Sequence, residues 1–493
     1  MMGLTGKSAA FFSALALLCV AQKRWKSNKG RTRQRRTSDG GDDTDHDISV
    51  RGESLLTPTL PYILDYLKCL QDHCDPYTNP RGHIPLCMSE NKLIVELLGV
   101  RLMQIETASR AFSDSSVYCY NNTLGLPTAR EALAYFLAKH FLFPERRNLT
   151  FADALSNIRP ELVCFGAGAS SLISHLGLCL AEHGDAVLIP APYYAAFDVD
   201  LKIIAGCVAV PVHCSEDPSR GPSPQDLEAA ARSAEAKGLR VRMLLITNPC
   251  NPIGTIYDPE VMKDAIEWAR ARDMHTIVDE LYALSTHPGF QFESILTTLN
   301  NELGDDVHHI WALSKDFGAS GFRMGTLYTQ NEKLLKSVAN LNIFSGVSHP
   351  MQMIVSEVLL DDAWVYDFLQ QARERIRYSY EICTRMLDEM VVPYYPASAG
   401  IFVYADFSSL LPEPTAAGEA KFASLLLDAA RIIMTPGQAQ HDQKPGMFRI
   451  CYCFVSPELL TMAMQRLDNV IVKIRTRRIH WENLTPESYT DII

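Results

Sequence analysis

Between residues 160 and 313 short apolar runs alternate with stretches of helical spacing. The runs at 162–165, 186–190, 243–247, 276–278 and 309–313 show no in-and-out alternation. Strands covered on both faces read this way. Residues 171–181 and 261–272, which lie between them, carry apolar positions three and four apart. That order predicts an α/β fold with a mostly parallel sheet flanked by helices. Upstream, residues 62–70 set Ile63, Leu64, Leu67 and Leu70 on one helical face, and 126–143 reads as one long amphipathic helix opening at Pro127 and ending before Pro144.

After Gly346 the pattern changes. A single long helix is predicted over 351–390, then strand-like stretches at 391–395 and 400–407, a further helix, and a last strand at 448–454. This reads as a smaller α+β domain. The chain therefore divides into a tail (1–57), an arm with part of the small domain (58–110), a large domain (111–345), a small C-terminal domain (346–475) and a polar end (476–493). There is no internal repeat.

Composition narrows the class. With 493 residues, 47% apolar and 21% charged, the chain is that of an ordinary globular protein. A net charge of −11 argues against nucleic-acid binding by its body. The 13 cysteines form neither a C-x-x-C pair nor a zinc spacing, so neither metal nor disulfide is expected. The tail departs from the rest. Residues 9–21 are apolar but shorter than the roughly 20 a spanning helix needs. A basic cluster follows, and no acidic residue occurs before Asp39. A membrane tether, a mitochondrial targeting segment, a nuclear-import or nucleic-acid patch and a disordered tail on a cytoplasmic protein all match this pattern.

The polar residues that stand out fall just beyond the predicted strands. Gly166-Ala-Gly-Ala-Ser170 follows one strand and opens a helix, a place where backbone N–H groups receive phosphate. Tyr194, in Pro-Ala-Pro-Tyr-Tyr, offers a ring on which a pyridine can stack. Asn251, in Asn248-Pro-Cys-Asn-Pro, and Tyr282 can donate to a phenolate oxygen. Asp279 can pair with a pyridinium nitrogen, making the ring an electron sink. Lys315, after Ser314, can form a Schiff base with an aldehyde, and Arg323 can hold a phosphate bidentately. Open α/β sheets bind ligands at the carboxyl ends of their strands, where these segments sit.

The segments GAGAS, PAPYYAAFDVD, NPCNPIGT, VDELY and SKDFGASGFRMG together resemble the fold-type I pyridoxal-phosphate enzymes of the class I/II aminotransferase family. NPRGHIPLCMSENKL and Phe448-Arg-Ile-Cys-Tyr452 are most similar to its 1-aminocyclopropane-1-carboxylate (ACC) synthase branch. The resemblance spans about residues 57–475. It implies that Lys315 carries pyridoxal 5′-phosphate and moves the Cα proton of an amino-acid substrate. Asp279, Tyr282 and Asn251 would tune the ring, Tyr194 would stack on it, and Ser314 would touch the cofactor. Arg323 and the amides of Ala167 and Gly168 would bind phosphate. Arg449 would clamp the substrate carboxylate, with Glu90 nearby. A homodimer with shared sites is also implied, Tyr120 reaching into the neighbour's cofactor and substrate site; locally, a core or strand-edge tyrosine fits as well.

Two positions depart from the family pattern: Ala312 stands where a serine is usual, and Ala167 where many relatives have threonine. Each removes a hydroxyl donor to phosphate. Aminotransferase or β-lyase chemistry is the leading expectation, ACC formation from S-adenosylmethionine the alternative, and a catalytically retired binding protein the third.

Overall fold

Seven strands build the central sheet of the chain, seen in a computed structural model that describes residues 60–476, Ile479, Trp481 and a few positions between 48 and 56. The readings placed on residues 1–38 lie outside the described residues, as does most of the polar end. A two-residue strand, β1 (Ile84–Pro85), comes first in the chain. The sheet strands are β2 (Val163–Gly166), β3 (Ala186–Ala191), β4 (Val208–His213), β5 (Val241–Thr247), β6 (His275–Asp279), β7 (Val307–Ala312) and β8 (Gly325–Thr329). Their spatial order is β2-β8-β7-β6-β5-β3-β4. Only β8 runs against its neighbours.

The unalternating apolar runs have a simple cause. Successive side chains of a strand point to opposite faces, and here each face has its own core. Val187, Ile189, Met243, Leu245, Ile277 and Ile310 pack into one. Leu188, Leu244, Ile246, Val278, Val307 and Trp311 pack into the other. Helix Ala169–Leu180 covers the first face with Leu172, Ile173 and Leu176. Helix Pro259–Ala271 covers the second with Met262, Ile266 and Ala269.

Four details differ from the sequence expectation. β4 was not foreseen, because an edge strand pairs on one side only, is half exposed and tolerates Pro211. β8, close behind a glycine-rich loop, gave too short a run. The helix expected over 351–390 is two, His349–Leu359 and Asp362–Glu389. Asp361 stops the first from continuing by capping the second, its carboxylate accepting from the Trp364 amide at 3.2 Å. The α-helix at Pro127–Leu137 ends early and runs on as one π turn to Leu142.

A second, antiparallel sheet has the order β12-β13-β10-β9, from β9 (Tyr394–Tyr395), β10 (Val403–Asp406), β12 (Thr435–Pro436) and β13 (Met447–Ile450). Between β10 and β12, strand β11 (Ile432–Ile433) pairs in parallel with β1. Beyond β1 the chain stays tied to the region after β13: Cys451 N donates to Leu86 O, and Lys92 N to Cys453 O. Residues 86–92 are thereby held beside the carboxyl edge of the large sheet. The described residues from 60 onward form one compact unit. Among the described residues no helix is long and apolar enough to cross a membrane.

Candidate active site

A cleft opens at the carboxyl edge of the sheet, and Tyr194, Asn251, Asp279, Tyr282, Lys315 and Arg323 all line it, with Ser314 at its wall. At its floor, Thr247 and Asp279 end adjacent strands as register partners. The Thr247 hydroxyl donates to Asp279 Oδ2 at 3.2 Å and the Leu281 amide to Oδ1 at 3.2 Å. Burial nevertheless pushes Asp279 up to about 7, the two donors and Lys315 opposing it. A buried carboxylate so placed favours a cationic partner.

Lys315 sits in the single helical turn Leu313–Asp316 that follows β7. Asp316 pins this turn. Its buried carboxylate accepts from Ser285 Oγ (2.6 Å), Trp311 Nε1 (2.9 Å) and the Leu284 amide (3.2 Å). The Lys315 amine donates to the Ser89 carbonyl. Burial lowers it to about 8, a range in which an amine can both give and take a proton.

Asn251 is oriented from behind. Arg449 Nη1 donates to its Oδ1 at 2.9 Å, which turns Nδ2 toward Tyr282 Oη, 3.5 Å away. Arg449 itself is fully buried. Its Nη2 reaches Cys87 O (2.8 Å) and Thr435 Oγ1 (3.2 Å), while Nε has no partner. It stands one residue behind the cleft wall rather than in it.

At the opposite end, Arg323 adopts left-handed backbone geometry (φ 52°) and donates to Ala167 O and Ser320 O, both at 3.2 Å. Gly168, at φ 87°, passes so close that a Cβ there would lie 2.7 Å from Arg323 Nη2; only glycine suits that position. The amide of Ala167 donates to Ser345 O and that of Gly168 to Gly166 O. The helix starts one residue later, and Ala169 and Ser170 present its first turn to the cleft. Glu90 is carried beside Lys315 by its neighbour Ser89, and its carbonyl accepts from Cys451 Sγ at 3.9 Å. Tyr120 is fully exposed and not part of the cleft of its own chain.

Three cleft-side residues carried no role in the sequence reading: Thr247, Ser320 and Asp200. Thr247 ends a strand whose neighbour ends in Asp279, a relation visible only once the strand order is known. Asp200 lies in the short helix Phe197–Lys202 and lines the same cleft as Arg323.

The fold is that of solved aspartate aminotransferases. The enzyme of Thermus thermophilus solved with maleate is 21% identical, with a TM-score of 0.69 over 86% of this chain and 99% of its own. That of Rhizobium meliloti is 19% identical, with a TM-score of 0.70 over 86% and 99%. Residues 85–467 match the family described as aminotransferase class I and II. In sequence, 1-aminocyclopropane-1-carboxylate synthase 6 of Oryza sativa subsp. japonica is 32% identical over 86% of this chain and 79% of its own. The corresponding synthase 9 of Arabidopsis thaliana is 29% identical over 85% and 89%. The chain belongs to the class I and II aminotransferases, as an ACC-synthase-like, pyridoxal-phosphate-dependent enzyme.

The residues present fit that cofactor. Asp279, 4% exposed, is a buried acid suited to a pyridinium. Gly168 leaves space beside Arg323 that any larger residue would fill. Three buried polar atoms around the cleft, Ser89 Oγ, Asp200 Oδ2 and Arg449 Nε, have no hydrogen-bond partner.

Proposed function

We propose that this chain removes the Cα proton of an α-amino acid and completes a transamination or a β-elimination. The observation that carries the reading is the placement of Lys315, whose amine lies between the Asp279 floor and the Ser89–Glu90 segment with burial holding it near 8. When bound, pyridoxal phosphate supplies an aldehyde that condenses with amines and a protonated ring that withdraws electrons from Cα. Lys315 would hold the cofactor through its amine and would serve as the base that takes the Cα proton. Arg449 binds the substrate carboxylate, exchanging its Cys87 and Thr435 partners for a bidentate pair. That would hold the substrate with its Cα proton within reach of Lys315. Asn251 and Tyr282 would donate to the ring oxygen, and Tyr194 would pack on the ring face.

Transamination and β-elimination ask only that Lys315 shuttle one proton and that Asp279 hold another. The second reading, ACC formation, is favoured by the likeness to the rice and Arabidopsis synthases and by Glu90 beside Lys315, where a carboxylate suits a sulfonium. Purified protein supplied in turn with S-adenosylmethionine and with pairs of amino and keto acids separates them. Keto-acid products, or ammonia with pyruvate-type products, are expected. ACC with methylthioadenosine would overturn the leading reading. Cofactor binding without turnover of any pair would replace both readings with a binding role.

We further propose that the active unit is a homodimer. Asn342 donates to Thr123 O and the Ala167 amide to Ser345 O, which brings the Tyr120 loop and exposed Ile343 and Phe344 around the phosphate end of the cleft. A tyrosine with no contact in its own cleft suits a residue that crosses to a second copy. Mixing Lys315→Ala chains with Tyr120→Phe chains gives heterodimers in which one site collects both lesions and the other none. Activity should recover toward one site per dimer. No recovery in confirmed heterodimers places Tyr120 outside the neighbour's site.

A further inference from the structure

The phosphate end of the cleft contains a group that an anion site ordinarily excludes. Asp200 lines it together with Ser170, Ser320 and Arg323. Its Oδ2 is buried and has no hydrogen-bond partner. Arg323 does not neutralise it, because the guanidinium donates instead to the carbonyls of Ala167 and Ser320. At the same end two hydroxyls are missing: residue 167 is alanine, and Ala312 caps the Lys315 turn with no side-chain hydrogen bond. One guanidinium therefore faces both a buried carboxylate and the phosphate the site is to receive. Two like charges in so small a space cannot both stay ionised.

We propose that Asp200 serves the phosphate as a neutral carboxylic acid, taking up a proton from solvent as the phosphate binds and donating it as a hydrogen bond in place of the hydroxyls absent at 167 and 312. The side chain is already disposed to do so. Burial raises it to about 6, against the opposing pull of Ser170 and Arg323. The groups that face it are Ser170 from helix Ala169–Leu180, Arg323 from the loop after Lys315, and Tyr194 from the segment after β3. Asp198 and Lys202 share its helix, and Asp279 and Lys315 lie across the cleft. None of the carboxylates among them touches Arg323.

The consequence is a phosphate affinity that falls as pH rises. Above the ionisation of Asp200, each pH unit costs about tenfold in affinity, because the bound state holds a proton the free state lacks. The second ionisation of the phosphate, near 6, acts in the opposite sense and is common to every variant.

The test uses pyridoxine 5′-phosphate, which has no aldehyde and so engages the site without bonding to Lys315, titrated calorimetrically into full-length protein stripped of cofactor. The inference rests on reading this cleft as the cofactor site, and binding to the wild type checks that separately. Between pH 6 and 8.5 the wild type should lose affinity steeply relative to Asp200→Asn, whose amide keeps a donor but cannot ionise. At pH 8.5 the variant should bind at least tenfold tighter than the wild type, and at pH 6 within about threefold. Titrations in buffers of different ionisation heat should show about one proton fewer taken up by the variant. Asp200→Ala, with no donor, should bind more weakly than Asp200→Asn at every pH. Equal proton uptake by wild type and Asp200→Asn, or a variant weakened by the same factor at all pH values, would overturn the proposal and make Asp200 a charged support for Arg323. If Asp200→Asn fails to fold, the difference in proton uptake between wild type and Asp200→Ala decides the matter.

Discussion

Lys315→Ala should abolish the pyridoxyl label that borohydride otherwise fixes in the protein, and should slow turnover by roughly 10³-fold or more. Two losses combine. On the proposed reading the variant lacks both the amine that would hold the cofactor covalently and the base at Cα, a function that by itself contributes roughly 10²–10⁴-fold. Fold stability should survive, because the lysine turn is pinned by Asp316 through Ser285, Trp311 and Leu284 rather than by the lysine. Removing a half-buried amine also relieves a desolvation cost. Peptide mapping of the reduced wild-type protein checks the attachment directly. A label on other lysines alone, or unchanged turnover in the variant, would remove Lys315 from the reaction.

The same residue shows what a sequence can disclose. β3, β5, β6 and β7 were legible because burial on both faces demands unbroken apolar runs, and such runs end abruptly. The residues just past those ends, Asn251, Asp279 and Lys315, then stand out as polar groups at a buried edge. Arg323 was legible from its place in SKDFGASGFRMG, and the structure places its guanidinium beside Gly168. What stayed hidden depends on pairing rather than pattern. β4 gave a weak signal since one side of it faces no strand. The break at Asp361 lay inside a pattern that stays helical on both sides, so only the cap reveals it. Asp200 is one acid in a polar helical segment, far from Arg323 along the chain. Nothing local distinguishes it from a solvated residue; only the chain fold brings it to the cleft.

Asp279→Asn should leave cofactor binding measurable while slowing exchange of the substrate Cα proton by roughly 10²–10⁴-fold. The figure follows from the loss of one partner from a buried ion pair, worth about 3–5 kcal/mol. Binding should survive because Lys315 and Arg323, on the reading proposed above, would hold the cofactor from its other sides. Rate does not, because an amide cannot stabilise a protonated ring nitrogen, and a neutral ring draws far less charge from Cα. The introduced side chain can still accept from the Leu281 amide through its oxygen and donate to the Thr247 hydroxyl through its nitrogen, so the floor of the cleft should keep its shape. This separates an electrostatic role from a structural one. A cofactor methylated at the ring nitrogen carries its positive charge permanently and has no proton to lose. Supplied to the Asp279→Asn protein, it should restore much of the exchange rate, measured as deuterium incorporation by mass spectrometry. Near-normal exchange in the variant with the ordinary cofactor would take Asp279 out of the site. Slow exchange that the methylated cofactor leaves untouched would show that the aspartate positions the ring rather than charging it.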